Sequence, residues 1–229
     1  MTNPKVKACI FDVDGTLADT ETLHLEAFNQ VFSEFQLNWI WDQTLYKQLL
    51  QIAGSKNRIN YFNNLSKSKL SNNLIREILE RKNRLYIKKL QKNSVKVCSG
   101  VKELVNLLKN EMKLAVATST SKENVDALIL KIWGEKTNAI FSAISTPEEY
   151  AKNKPAPDLY INALKKLSLK PHQAIAIEDS EIGLKSAKAA KIKTIVVPSI
   201  YTQGSDFSNA DLVVSDLFDP RVKVLLGVE

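Results

Sequence analysis

The segment Ala8-Cys9-Ile10-Phe11-Asp12-Val13-Asp14-Gly15-Thr16-Leu17 decides how the rest of the chain is read. Its first four residues are apolar throughout, as in a parallel strand covered on both faces. Two carboxylates, two residues apart, follow at once. Burying them at a strand end is costly unless a cation relieves their repulsion, and Mg²⁺ prefers such hard oxygen ligands. Gly15 permits the sharp exit turn. An Asp-x-Asp pair alone is common in surface loops; after a buried strand, and before Gly-Thr-Leu, it is a specific signal.

Working outward, further short β-rich runs lie at Leu114–Thr118, Ile140–Ile144, Ala174–Ile177, Thr194–Val197 and Asp211–Val214. Helical patterns separate them at Val101–Asn110, Lys122–Trp133, Pro157–Leu167 and Glu181–Ala190. This alternation predicts an α/β fold with a doubly wound, Rossmann-like parallel sheet. Between about Thr20 and Asn93 the pattern changes to helical periodicity without a strand. Leu23, Ala27, Phe28, Val31, Phe32 and Phe35 make one apolar stripe, and Leu74, Ile75, Ile78, Leu79, Leu85 and Ile87 suggest another. The expectation is a catalytic core of residues 1–18 and 94–229 with a helical insert, residues 19–93, hinged at Leu17–Asp19 and Asn93–Gly100.

Composition sets the outer bounds. The 229 residues are 44% hydrophobic, which suits a globular protein with a substantial core. No stretch approaches the roughly 18–20 unbroken apolar residues of a membrane span. Met1–Cys9 lacks the apolar region and cleavage site of a signal peptide, so a cytoplasmic protein is expected. Cys9 and Cys98, the only cysteines, read as reduced thiols, with Cys9 packing as a small hydrophobe. The net charge of +7 comes from 32 basic residues spread among 25 acidic ones, without a basic tail, so neither nucleic acid nor membrane is an expected partner. The densest basic stretch, from Arg76 to Lys96 and including Arg81, Lys82, Arg84, Lys88, Lys89 and Lys92, reads as a solvated helix face; a field steering an anionic substrate is the functional alternative.

Three more elements fall at predicted strand ends, where open α/β sheets place their sites. Thr118-Ser119-Thr120 offers hydroxyls and backbone N–H groups ahead of a helix, suited to a phosphate, although taken alone it reads first as a plain N-cap. Lys154-Pro155-Ala156-Pro157-Asp158 carries a lysine on a stiff turn that can neutralise a phosphoryl group. Glu178-Asp179-Ser180 supplies further metal ligands or a helix cap.

In this order the four motifs resemble the haloacid dehalogenase-like hydrolases, and the helical insert stands where that family's helical cap is found in its β-phosphoglucomutase and sugar-phosphate phosphatase subgroup. Glu21 with His24, Trp39-Ile40-Trp41-Asp42, Gly54-Ser55-Lys56-Asn57-Arg58-Ile59, Ala115–Ser121 and Tyr201-Thr202 resemble the CbbY subgroup, with Ser55 at a position where a glycine is expected. The resemblance implies a Mg²⁺-dependent phosphatase acting on a small phosphorylated sugar, xylulose-1,5-bisphosphate, in Rubisco-associated metabolism. It implies Asp12 as nucleophile and Asp14 as acid and base, with Thr118 and Lys154 on the transferring group. Asp12, the Asp14 carbonyl and Asp179 would be metal ligands, with Glu178 an additional one. Lys56 and Arg58 would meet a second phosphate; Glu21 would contact a sugar hydroxyl. Gly54, Ser55, Ser119, Thr120 and Asn124 would complete the substrate site. His24 and Tyr46 would either touch substrate or pack in the cap. A monomer is the default for such a fold. A phosphosugar mutase would use the same residues. A receiver-type signalling domain also pairs acids, a hydroxyl and a lysine around a phospho-aspartate, but has no such insert.

Overall fold

The computed structural model describes residues 6–149 and 152–228. The expectation of no signal peptide, read over Met1–Cys9, falls partly on residues 1–5, outside the described residues. Six strands, β1 (Ala8–Phe11), β2 (Lys113–Ala117), β3 (Ala143–Ser145), β4 (Ala174–Glu178), β5 (Lys193–Val196) and β6 (Leu212–Val213), make one sheet of order β3-β2-β1-β4-β5-β6. Every pairing is parallel. Phe11 lies opposite Val116 on one side and Ile177 on the other, so the residues following β1, β2 and β4 emerge together at one edge.

Side-chain size sorts the faces of the sheet. Cys9, Phe11, Leu114, Val116, Ile175 and Ile177 point into the larger core. Ala8, Ile10, Ala115, Ala117, Ala174 and Ala176 line the other, where small residues let α8 (Asp158–Leu167) and α9 (Glu181–Ala189) come close. The remaining core helices are α5 (Val101–Leu108), α6 (Lys122–Trp133), the single turn α7 (Thr137–Ile140) and α10 (Pro220–Leu226). The run Ile140–Ile144, expected as strand, divides into the end of α7 and the start of β3. Phe141 turns inward there, its ring 6.1 Å from Phe11 and 6.2 Å from Trp133. Period alone does not separate a short apolar strand from a buried helical turn.

Between β1 and β2 the chain forms α1 (Glu21–Glu34), α2 (Gln43–Leu49), α3 (Ser55–Leu65) and α4 (Asn72–Lys92), a helical insertion without a strand among the described residues. The α1 stripe buries Leu23, Ala27, Phe28, Val31 and Phe32. Trp39 and Trp41 close over it, with Trp41 4.6 Å from Phe28, and Trp39 5.2 Å from Phe32 and 5.1 Å from Phe62. Ile40 between them is exposed. Each such buried side chain contributes roughly 1.5–3 kcal/mol. The chain leaves and re-enters the core through segments that pair: Asp19 N–H donates to Lys96 O (2.9 Å), and Cys98 N–H to Leu17 O (3.0 Å). Cys9 is buried as a small hydrophobe. No described helix is long and apolar enough to cross a membrane.

Candidate active site

Two helix caps separate the competing readings of the strand-end motifs. The N-cap of α6 is Ser121, whose side chain accepts from Asn124 N–H, and that of α9 is Ser180, which accepts from Gly183 N–H at 3.2 Å. Capping therefore does not occupy Thr118, Ser119 and Thr120, or Glu178 and Asp179. Thr118 Oγ1 accepts from Thr120 N–H at 3.2 Å, and the Ser119 hydroxyl, buried on the same loop, has no partner among the described residues. Both residues line a cleft between core and insertion, together with Asp12, Asp14, Lys154 and Asp179.

Lys154 Nζ donates to Asp12 Oδ1 at 2.5 Å and to Glu178 Oε1 at 2.6 Å. Tyr160 donates its hydroxyl to the same Glu178 oxygen at 2.6 Å. Glu178 is fully buried, and a Cβ on Gly183 would overlap its carboxylate, so the glycine is what lets α9 start so near it. Gly15, at φ +84°, leaves similar room for Asp179: a Cβ there would lie 2.3 Å from Asp179 Oδ2.

Asp12, Glu178 and Asp179 offer carboxylate oxygens within 4.8 Å of one another, and Lys154 bonds the first two of them. Burial pushes the Asp12 carboxyl up to about 8; Lys154 opposes the rise, and Glu178 and Asp14 add to it. Burial, then Asp12 and Glu178, likewise hold Asp179 well above the usual carboxylate range. Burial would lower Lys154, but the two carboxylates outweigh it and keep its amine protonated. The cluster is short of positive charge, and a hard divalent cation suits its oxygens.

Asp14 points elsewhere. Its Oδ1 accepts from Thr20 Oγ1 at 2.6 Å and lies 3.1 Å from His24 Nε2. His24 Nδ1 in turn lies 2.7 Å from Lys82 Nζ. The Asp14 carboxylate can only accept, so Nε2 of the neutral imidazole carries the hydrogen given to it, and Nδ1 accepts from Lys82. Burial would raise Asp14, but His24, Thr20 and Lys82 bring it down to about 2. Lys82 corrects the expectation of a solvated helix face. It is fully buried on α4, 4.7 Å from the centre of the Phe28 ring, and burial pulls it down to about 7. Lys82→Met keeps the stem and removes the charged head. It is expected to lower kcat about tenfold or more by releasing His24, while the melting temperature holds or rises; kinetics and thermal melts check both halves.

The insertion contributes Glu21, His24, Gly54, Ser55 and Arg58 to the cleft. Glu21 Oε2 accepts the Tyr46 hydroxyl at 2.6 Å, and Tyr46, fully buried, stands behind the lining as part of the insertion's core. Arg58 Nε donates to Ile52 O at 2.9 Å, and its guanidinium carbon lies 5.7 Å from the Tyr46 ring centre. Two expected contacts are not brought in. Lys56 is exposed outside the lining, because α3 turns Ser55, Arg58 and Ile59 inward and the intervening Lys56 outward. Asn124 is buried behind the lining, its Nδ2 donating to Thr120 Oγ1 at 3.1 Å and to Asn83 Oδ1 at 3.4 Å. Sequence reasoning named Lys82 only within a solvated basic stretch and did not single out Thr20, which, directly before α1, carries the signal of an N-cap residue type.

The sequence model of the haloacid dehalogenase-like hydrolase family matches residues 9–197. The protein CbbY of Rhodobacter capsulatus is 41% identical over 214 residues, covering 93% of this chain and 94% of that one. The β-phosphoglucomutase of Bacillus subtilis is 29% identical over 96% of this chain and 94% of its own length. A crystal structure of a CbbY mutant from Rhodobacter sphaeroides in complex with xylulose-1,5-bisphosphate superimposes with a TM-score of 0.90 at 36% identity, covering 93% of this chain and 96% of that one.

Proposed function

The chain belongs to the haloacid dehalogenase-like hydrolases, as one of their phosphatases, and we propose that it removes a phosphate from a small sugar bisphosphate, xylulose-1,5-bisphosphate, with Mg²⁺ as cofactor. One observation carries the choice of a bisphosphate. Arg58 is the lysine or arginine that the insertion brings to the cleft, among the described residues, and the same cleft holds the carboxylate–lysine cluster. A substrate with two phosphates meets a cationic group on each side. The CbbY complex with xylulose-1,5-bisphosphate supports this reading by relationship.

In this proposal Asp12 is the nucleophile. Lys154 occupies Oδ1, so Oδ2 forms the bond to phosphorus as the bond from phosphorus to the sugar oxygen breaks. Thr118 and the unpartnered Ser119 hydroxyl donate to the transferring group's oxygens, and Lys154 neutralises them. With a phosphate dianion beside it, Asp14 gains proton affinity and takes up a proton as substrate binds; it gives that proton to the departing sugar oxygen, and His24 Nε2–H steadies the carboxylate left behind. The Asp14 carboxylate then takes a proton from the water that attacks phosphorus, and Asp12 is regenerated. Asp12 and Asp179, with the Asp14 carbonyl, would hold Mg²⁺; Glu178 has one oxygen committed to Lys154 and Tyr160 and only the other to offer. The ion supplies charge neutralisation at the phosphoryl group. Residues 19–93 act as a cap that excludes bulk water.

Phosphate release from xylulose-1,5-bisphosphate is expected to exceed that from hexose phosphates and phosphoglycolate, to stop on chelation with EDTA, and to return with Mg²⁺. Equal rates across the panel would remove the bisphosphate assignment. Conversion of β-glucose 1-phosphate to the 6-phosphate without free phosphate, followed by NMR, would make the protein a mutase.

A further inference from the structure

The loop between β5 and β6 belongs to the core, yet it grips the insertion at three points. The Tyr201 hydroxyl lies 3.1 Å from Thr22 Oγ1, in the first turn of α1. The Tyr201 ring meets Tyr46 edge-on, at 6.2 Å and 90°. Lys47 Nζ donates to Gln203 O at 3.3 Å. The two tyrosine contacts converge on one group: Thr22 adjoins Glu21 in sequence, and the Tyr46 hydroxyl is what holds Glu21 Oε2. Tyr201 is only 7% exposed, and it lines both the cleft and an outer groove formed by Thr22, Thr44, Lys47 and Gln48. It is thus the wall between them.

The base of the loop is tied to the core. Ser199 N–H donates to Thr202 Oγ1 at 2.8 Å, and the N–H groups of Thr202 and Gln203 both donate to Ser199 O at 3.1 Å. The Ser199 side chain also hydrogen-bonds Asp179. A rigid loop anchored beside the reacting carboxylates therefore carries one aromatic side chain across to the insertion.

We propose that Tyr201 is a positioning residue for substrate selection: its hydroxyl clasps Thr22 across the seam, holding the insertion closed and Glu21 directed into the cleft. Tyr201 touches none of the reacting groups, and its effect runs through Thr22 and Tyr46. Without the clasp, the closed form is less populated, and apparent affinity falls by the same fraction. The inference rests on the sugar-phosphatase reading only for the choice of substrate.

The test uses Tyr201→Phe, which keeps the ring, Thr22→Val, which keeps the shape, and the double variant. Each single change is expected to raise KM for the sugar phosphate about two- to tenfold, the range of one neutral hydrogen bond, with kcat within about twofold and an unchanged melting temperature. The double variant should be no worse than either single one, because both remove the same bond. Hydrogen exchange without substrate should quicken in all three at the first turn of α1 and at residues 17–19. Unchanged KM and exchange in Tyr201→Phe, or single effects that multiply in the double variant, would overturn the proposal. If the wild-type protein ignores xylulose-1,5-bisphosphate, the substrate assignment fails alone, since exchange reads the clasp without any substrate.

Discussion

Replacing Asp12 by Asn is expected to leave a folded protein that binds sugar phosphates and turns over essentially none of them, a loss of roughly 10⁴-fold or more. An amide oxygen is a poor nucleophile, so no aspartyl-phosphate forms, and binding and closure cannot replace that bond. The geometry around it should survive. Lys154 donates to Asp12 Oδ1 at 2.5 Å, and an asparagine Oδ1 accepts the same hydrogen bond. The substitution also removes one of the carboxylates crowded around a single lysine at Asp12, Glu178 and Asp179. The metal-free Asp12→Asn variant is therefore expected to melt no lower than the wild type. Phosphate release, mass spectrometry for a phosphorylated aspartate, and thermal melts check the three parts. Turnover within about tenfold of wild type would show that the attacking group lies elsewhere.

The strand-end residues were legible because their signals are local. An apolar run broken abruptly by acids marks a covered strand meeting a site, and the parallel register then brings Asp12, Thr118 and Asp179 to one edge. The alternative reading as helix caps could be dismissed only once Ser121 and Ser180 were seen doing that work. The insertion was legible as helices but not as a surface. Lys82 sits in a run of lysines and arginines that looks solvated throughout. Its burial depends on α1 and α4 packing so that His24 stacks on Tyr86 at 4.0 Å, a contact between residues far apart in sequence. Lys56 and Arg58 are equivalent as charges in a motif, and only the helical phase of α3 separates them. Asn124 reads as a ligand by proximity to the phosphate loop, yet from the first turn of α6 its side chain reaches back to Thr120 and across to Asn83. Tertiary packing, rather than residue type, decides each of these.

Lys154→Met is expected to damage stability and activity together, and the two losses should be separable. The lysine is buried between Asp12 and Glu178, 2.5 and 2.6 Å from their oxygens, with its ammonium 5.4 Å from the Tyr160 ring centre. Methionine fills the stem's volume but strands both carboxylates in a buried site. Breaking one side of such a pair typically costs about 3–5 kcal/mol, which in a chain of this size lowers the melting temperature by roughly 6–20 °C in metal-free buffer. Phosphate turnover should fall about 10³-fold, because the transferring oxygens lose their fixed cation. Adding Glu178→Gln distinguishes the causes. Tyr160 donates to Glu178 Oε1 at 2.6 Å, and the glutamine oxygen can still accept that bond. The double variant is therefore expected to regain much of the lost stability by removing a stranded charge, while activity stays down because no lysine faces the phosphate. Recovery of both would reduce Lys154 to a structural counter-ion for Glu178. A single Lys154→Met variant that melts like the wild type would mean that water or protonation already relieves the cluster, and the charge balance proposed for Asp12 would fall with it.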